Sequence, residues 1–259
     1  MVWCRHWRPG TVIIVRHFVL TAVGFNRLLG FDRLLANRMI VTIDGPAGAG
    51  KSTTARELAR RLGFRFLDTG AMYRAVAWAA VDRGLGWDVP ERLVELTRAL
   101  DLRVDEDRVL VDGQDVTGPI RSAEITAVTH YAANNPGVRE HLVQLQRAAA
   151  GDDDIVTEGR DQGTVVFPNA QCKIFLTASP EERARRRVQD LRAQGEHLPV
   201  EAVLEQQNRR DSSDSNRRMG PLVAAADSIE VTTDGLSRTE VVDRLEQLVR
   251  ERIRNPTGS

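Results

Sequence analysis

Apolar runs of five or six residues recur along the chain, each closing on polar or small residues, with helically spaced hydrophobic positions between them. The runs are Met39–Asp44, Phe64–Asp68, Asp154–Glu158, Cys172–Thr177 and Ile229–Thr233. Short β-branched and aliphatic stretches of this kind predict strands buried on both faces, as in a parallel sheet. After the first run, Ala55, Leu58, Ala59 and Leu62 fall at i, i+3, i+4 and i+7, one face of a helix that Gly63 can end. A further helix is predicted over Met72–Val81. Five strands alternating with helical stretches give a doubly wound α/β core.

Two segments interrupt the alternation. From Leu102 the pattern alternates around the turn signals Asp105-Glu-Asp107 and Asp112-Gly113, predicting a small antiparallel insert in 101–121, followed by helices to about Ala150. Residues 180–220 are dense in arginine: Arg183, Arg185, Arg186, Arg187, Arg192, Arg209, Arg210, Arg217 and Arg218. A solvated helix face accounts for several of these. Asp211, Asp214 and Arg217, at three-residue intervals, share one face if the segment is helical.

Composition narrows the function classes. The 36 basic residues balance the 36 acidic ones across 259 residues, which argues against a duplex-DNA binder dependent on clustered cations. The two cysteines, Cys4 and Cys172, cannot build a disulfide framework, so a reducing cytoplasmic setting is expected. Residues 1–38 carry six arginines against Asp32 alone. Their apolar stretch Thr11–Leu20 is broken by Arg16 and His17, too short and too charged to span a membrane, and no clean secretory signal is present. Residues 1–38 are therefore read as an extension outside the fold, with Met39 as the working start.

The strongest chemical signal sits between the first strand and the first helix. Gly45-Pro46-Ala47-Gly48-Ala49-Gly50-Lys51-Ser52 fits G-x-x-x-x-G-K-[ST] at every position, with Thr53 following. Glycines let the backbone curl so that its N–H groups and the helix N-terminus bind phosphate oxygens. Lys51 then reaches the β- and γ-phosphates, and the Ser52 hydroxyl coordinates Mg²⁺. A guanine-reading Asn-Lys-x-Asp motif cannot exist, because the remaining lysine, Lys173, follows Cys172. Signature elements of motors and transporters are not visible, which leaves a small-substrate kinase. Ligands in parallel sheets collect at the carboxyl ends of strands, so Thr69, Tyr73 and Arg74 should sit beside the loop's mouth. The run ending in Glu158-Gly-Arg160-Asp161 again places polar groups at a strand's end.

The runs Gly45–Ser52, Leu67–Arg74, Glu158–Pro168 and Arg210–Leu222 together closely resemble the bacterial cytidylate kinase family, and the resemblance extends from Met39 to near the C-terminus. It implies a P-loop three-layer α/β fold with a five-stranded parallel sheet. The core would comprise 39–70, 151–180 and 221–259, with a monophosphate-binding insert at about 71–150 and an Arg-rich helical lid at about 181–220. It also implies transfer of the ATP γ-phosphoryl group to CMP or dCMP with Mg²⁺, by a monomer that takes no nucleic acid and no membrane as partner. Carried over by residue, Tyr73, Arg74 and Arg160 hold the acceptor phosphate. Thr69 and Asp161 read the cytosine amine, Arg139 and Arg217 face its N3 and O2, and Arg210 and Asp214 bind the sugar. Lys51, Arg160 and Arg217 are the expected catalytic cations. Thr69 replaces the family's usual Ser and keeps the hydroxyl. His130 stands where a sugar-contacting Ser is usual. Thr129 supplies a hydroxyl there only if the register shifts by one, and His130 as ligand or as a plain histidine both remain open.

The implied chemistry is in-line attack by an already ionised phosphate oxygen, helped by positioning and charge neutralisation. A kinase for UMP or a non-nucleotide alcohol is the nearest rival, and a nucleotide-binding switch without turnover is the second.

Overall fold

The structure, a computed structural model, describes residues 14–15, 18–19, 38–193 and 195–255. The chain divides into two units, Met1–Asn37 and Arg38–Ser259. In the first, Ile14–Val15 pairs antiparallel with Phe18–Val19. The expected extension, 1–38, otherwise lies outside the described residues, apart from Arg38.

The second unit is built on β1 (Ile40–Asp44), β2 (Arg65–Asp68), β6 (Ile155–Gly159), β7 (Cys172–Thr177) and β8 (Ile229–Thr232). They form one sheet in the order β8-β7-β1-β6-β2, every neighbour parallel. All five residues of β1 are buried because it lies at the centre, paired with β6 from Ile40↔Ile155 to Asp44↔Gly159 and with β7 on its other side. Its side chains alternate between two layers. Val41 and Ile43 pack with Ala55 and Leu58 of α1 (Lys51–Leu62) and with Val241 and Leu245 of α8 (Arg238–Arg254). Ile40 packs on the opposite side with Val143 and Ala150 of α5 (Pro136–Ala150) and with Phe167. Helices on both faces account for the near-continuous apolar strands and complete a three-layer α/β fold.

The insert follows α2 (Thr69–Asp82) and α3 (Pro90–Ala99) as β3 (Leu102–Val104), β4 (Val109–Val111) and β5 (Gln114–Asp115), an antiparallel sheet. A 3₁₀ turn, Pro119–Arg121, leads into α4 (Ala123–Asn134). The helix expected from Met72 begins earlier, at Thr69, because the Asp68 carboxylate accepts a hydrogen bond from the Ala71 N–H at 2.9 Å and caps it. In the Arg-rich segment, α6 (Pro180–Ala193) and α7 (Val200–Ser215) share a small apolar cluster of Ala184, Val188, Leu191 and Val203. The expected common face of Asp211, Asp214 and Arg217 does not form. The helix ends at Ser215, and Arg217 lies beyond it, free to turn back on Asp214.

Candidate active site

The loop from Gly45 to Gly50 joins the end of the central strand to α1. At Gly45, φ is +148°, and a Cβ there would sit 1.9 Å from the Leu176 carbonyl oxygen of β7, so no side chain fits. The loop thus runs close against the strand ends. Gly50, in the left-handed region at φ 87°, turns the chain into α1. Lys51 is almost fully buried, its ammonium donating to the Pro46 carbonyl at 2.7 Å. Burial and the nearby Arg160 guanidinium lower its pKa to about 7.

Beside the loop, a cleft of about 330 Å³ is lined by Ala47, Gly48, Gly50, Lys51, Ser52, Thr53, Thr69, Tyr73, Arg74, Arg139, Arg160, Asp161, Arg210, Asp214 and Arg217. The distant motifs therefore converge on one cavity. Gly45, Pro46 and Ala49 do not line it; they shape the loop from behind. Seven cationic side chains face four anionic ones there. A larger groove of about 820 Å³ runs outside α1 along the insert, but its charges are largely spent in local pairs such as Arg61–Glu57 and Arg56–Asp107.

The expected base-reading pair is closed on itself. Arg139, 2% exposed, donates through Nη2 to Asp161 Oδ2, and Asp161 is 4% exposed. A second donor of Arg139, Nη1, reaches the Ala133 carbonyl of α4 at 3.1 Å. Thr69 Oγ1 donates to the Glu158 carbonyl at 2.6 Å, which leaves its lone pairs available to an amine. Toward the phosphate end, Arg74 donates to Thr126 Oγ1 at 2.7 Å. Burial lowers the pKa of Arg74, an effect that Asp68 opposes and Arg121 reinforces.

Asp214 knits the remaining guanidiniums together. It accepts from Arg160 Nε at 2.8 Å through one oxygen and from Arg217 through the other. Burial alone would raise its pKa, but Arg160 and Arg217 prevail and hold it below the usual carboxylate range. Arg217 also donates to Asn134 Oδ1 of α4 at 2.7 Å. Arg210 is open to solvent at the cleft mouth, with no hydrogen-bond acceptor among the described residues. Surrounding protein and then Arg160 lower its pKa to about 10. A guanidinium held among like charges favours an incoming anion.

Ser52 Oγ donates to Glu158 Oε1 at 2.9 Å, and Glu158 is buried at the end of β6. A hydroxyl and a carboxylate side by side are hard oxygen donors that suit Mg²⁺. No group of three or more His, Cys, Asp or Glu able to hold a metal occurs among the described residues.

Several residues of the site were not singled out by sequence reading. Glu158 was legible from its place at a strand's carboxyl end. Arg121, which lines the cleft and pairs with Asp68 Oδ2 at 3.1 Å, sits on the 3₁₀ turn of the insert and had no motif around it. Gly220 is buried over the Arg139–Asp161 pair, at φ +64°. Residues 129 and 130 face different ways. Thr129 and Ala133 line the cleft, whereas His130 is exposed, bonds the Ala127 carbonyl and lies against Tyr131 on another side of α4.

A family model described as cytidylate kinase matches residues 41–251. A cytidylate kinase of Rhodopirellula baltica is 54% identical over 213 residues, covering 82% of this chain and 93% of that protein. One from Caldanaerobacter subterraneus subsp. tengcongensis is 46% identical over 211 residues, covering 82% and 94% respectively. A bifunctional pantoate ligase/cytidylate kinase of Synechococcus sp. is 46% identical over 221 residues, covering 83% of this chain and 41% of that protein.

Proposed function

The chain belongs to the cytidylate kinase family, and from that premise we propose how its own residues carry out the transfer. The enzyme moves the γ-phosphoryl group of ATP to CMP or dCMP, giving ADP and CDP or dCDP. The observation that carries the residue assignment is the single cleft in which the phosphate loop meets the Arg139–Asp161 pair.

The donor phosphates lie on the amides of Gly48 to Ser52, with Lys51 turning from the Pro46 carbonyl to their oxygens. Ser52 Oγ, with Glu158 beside it, would hold Mg²⁺, which would supply positive charge to neutralise the donor phosphates. Tyr73, Arg74 and Arg160 hold the acceptor phosphate. Its oxygen is already ionised near neutral pH and needs no strong base. Lys51, Arg160 and Arg217 neutralise charge on the migrating group, and the fixed cleft keeps the reacting atoms in line.

Cytosine lies against the Arg139–Asp161 pair. Its amine donates to Asp161 and to the free lone pairs of Thr69, and Arg139 and Arg217 donate to its ring acceptors. Uracil presents an acceptor where Asp161 requires a donor, and a buried unpaired group costs about 1–3 kcal/mol. The sugar lies along α4. Thr126 and Ala133, which hold Arg74 and Arg139, are seven residues apart on one face, about 10 Å along the helix axis. Thr129 stands between them on that face, so its hydroxyl, with Arg210 and Asp214, meets the ribose.

Segments 39–70, 151–180 and 221–259 act as the core, 71–150 as the monophosphate-binding part and 181–220 as a lid closing on both nucleotides. The enzyme is read as a cytoplasmic monomer acting on free nucleotides. No helix among the described residues is long and apolar enough to cross a membrane.

ADP release from MgATP, followed with CMP, dCMP, UMP and simple alcohols as acceptors, tests this reading. CMP and dCMP should each drive release, with UMP far behind. Release driven equally by UMP or by an alcohol would overturn the assignment of the Arg139–Asp161 pair.

A further inference from the structure

Arg183, one of the nine arginines of the 180–220 segment, is 4% exposed. It lies on the first turn of α6, and its side chain spans three structural pieces. Nε donates to the Ala178 carbonyl, just past β7, at 3.1 Å. Nη1 donates to the Ala47 carbonyl of the phosphate loop at 3.0 Å, and the same nitrogen lies 2.6 Å from Asp211 Oδ2 of α7. One turn before Asp211, Gln207 points at the loop too: a Cβ on Gly48 would lie 2.9 Å from its Nε2 and 3.2 Å from Arg183 Cβ. The outer surface of Ala47-Gly48 is therefore covered by a buried guanidinium and its partners on the Arg-rich helices.

The geometry points to Arg183 as a positioning residue for the donor site, held in place by Asp211, which sets the phosphate loop by fixing the Ala47 carbonyl on the side away from the phosphates. A carbonyl anchored outward turns the following amides inward, and those amides are the groups that bind phosphate oxygens. The bond comes from a charged donor in a buried setting, where such bonds are strong and directional. Two acceptors in the same packing, Gln207 Oε1 and Asp211 Oδ1, are buried without donors among the described residues. Arrangements that give up stability in this way concentrate at functional sites. Arg183 touches neither nucleotide in this reading. It acts through the loop, and it rests on the donor-site assignment made above.

The test is calorimetric titration of the full chain with MgADP and, separately, with CMP, for wild type, Arg183→Lys and Asp211→Asn, with thermal melts beside them. Lysine keeps the charge but cannot hold all three partners, and Asp211→Asn keeps the shape while removing the charge that holds the guanidinium. Affinity for MgADP should fall about tenfold, the size of one lost hydrogen bond to a charged group. CMP affinity should stay within about twofold. MgADP affinity unchanged in both variants overturns the inference, and so does equal weakening for MgADP and CMP, which marks general loosening. If Arg183→Lys does not fold, Asp211→Asn alone decides by the same criteria. The acceptor reading fails separately, through a wild type that binds MgADP but ignores CMP.

Discussion

Gly220→Ala would place a methyl group where the Arg139–Asp161 pair now lies. The added Cβ would fall 2.1 Å from Asp161 Oδ2 and 2.2 Å from Arg139 Nη2, so the pair or the loop must move by about an ångström. The residue's φ of +64° adds its own cost, about 1–2 kcal/mol for a non-glycine residue in the left-handed region. Complete rupture of a buried ion pair would add about 3–5 kcal/mol as an upper limit. Gly235→Ala is the control: its φ is +71° and nothing lies within 4 Å of its Cβ, so it carries the backbone cost alone. Relative to that control, Gly220→Ala should lower the melting temperature further, by about 2–4 °C for each kcal/mol in a domain of this size. It should also raise KM for CMP at least about tenfold while leaving KM for ATP within about twofold. Melts and coupled ADP-release assays on both variants read these quantities. Equal melting temperatures and equal KM values for CMP in the two variants would refute the close approach of Gly220 to the Arg139–Asp161 pair.

Three further outcomes are expected. Lys51→Ala should cut turnover by about 10²–10³, the scale for losing one preorganised charge-stabilising donor, while the melting temperature holds; near-normal turnover would remove the lysine from the chemistry. Thr129→Val should change the ratio of kcat/KM for CMP over dCMP by about threefold to tenfold, the worth of one hydrogen bond, whereas His130→Ala should leave that ratio alone; the reverse result would return the sugar contact to His130. The third concerns pH. Lys51 titrates near 7 in the nucleotide-free protein, depressed by burial and Arg160 from 10.5. A bound phosphate favours the charged amine, so MgADP binding at pH 8 should take up a proton and weaken as pH rises from about 7 to 9. The nucleotide-free fold should gain stability over the interval from about 7 to 10.5, because the unfolded chain binds the extra proton there. Calorimetry in two buffers of different ionisation heat measures the uptake, and its absence at pH 8 would contradict the depressed lysine.

What could be read from the chain follows the reach of each determinant. The phosphate loop, the five strands and the Asp112-Gly113 hairpin depend on neighbouring residues and were legible as local patterns. Strand ends were legible too, since a parallel sheet brings them to one edge, and Thr69, Arg160 and Asp161 each follow the end of a strand. The start of α2 was misjudged because Thr69-Gly70 reads as a loop, whereas the Asp68 cap draws both into the helix. Thr129 and His130 differ by one position, which on a helix is about 100° of rotation, and the packing of α4 turns Thr129 to the cleft and leaves His130 exposed. Arg183 and Gly220 draw their roles from residues far away in sequence. One arginine among many carries no mark of burial, and a glycine before proline reads as an ordinary turn.

The central claim is that cytosine is chosen by the carboxylate of Asp161. It is tested most directly by kcat/KM for CMP and UMP in wild type and in Asp161→Ala. Wild type should favour CMP by at least about tenfold, the free-energy scale of one unpaired buried group. Asp161→Ala should lose most of that preference through CMP, with KM for ATP unchanged. A variant that keeps the wild-type ratio, or that loses ATP and CMP alike, would contradict the account.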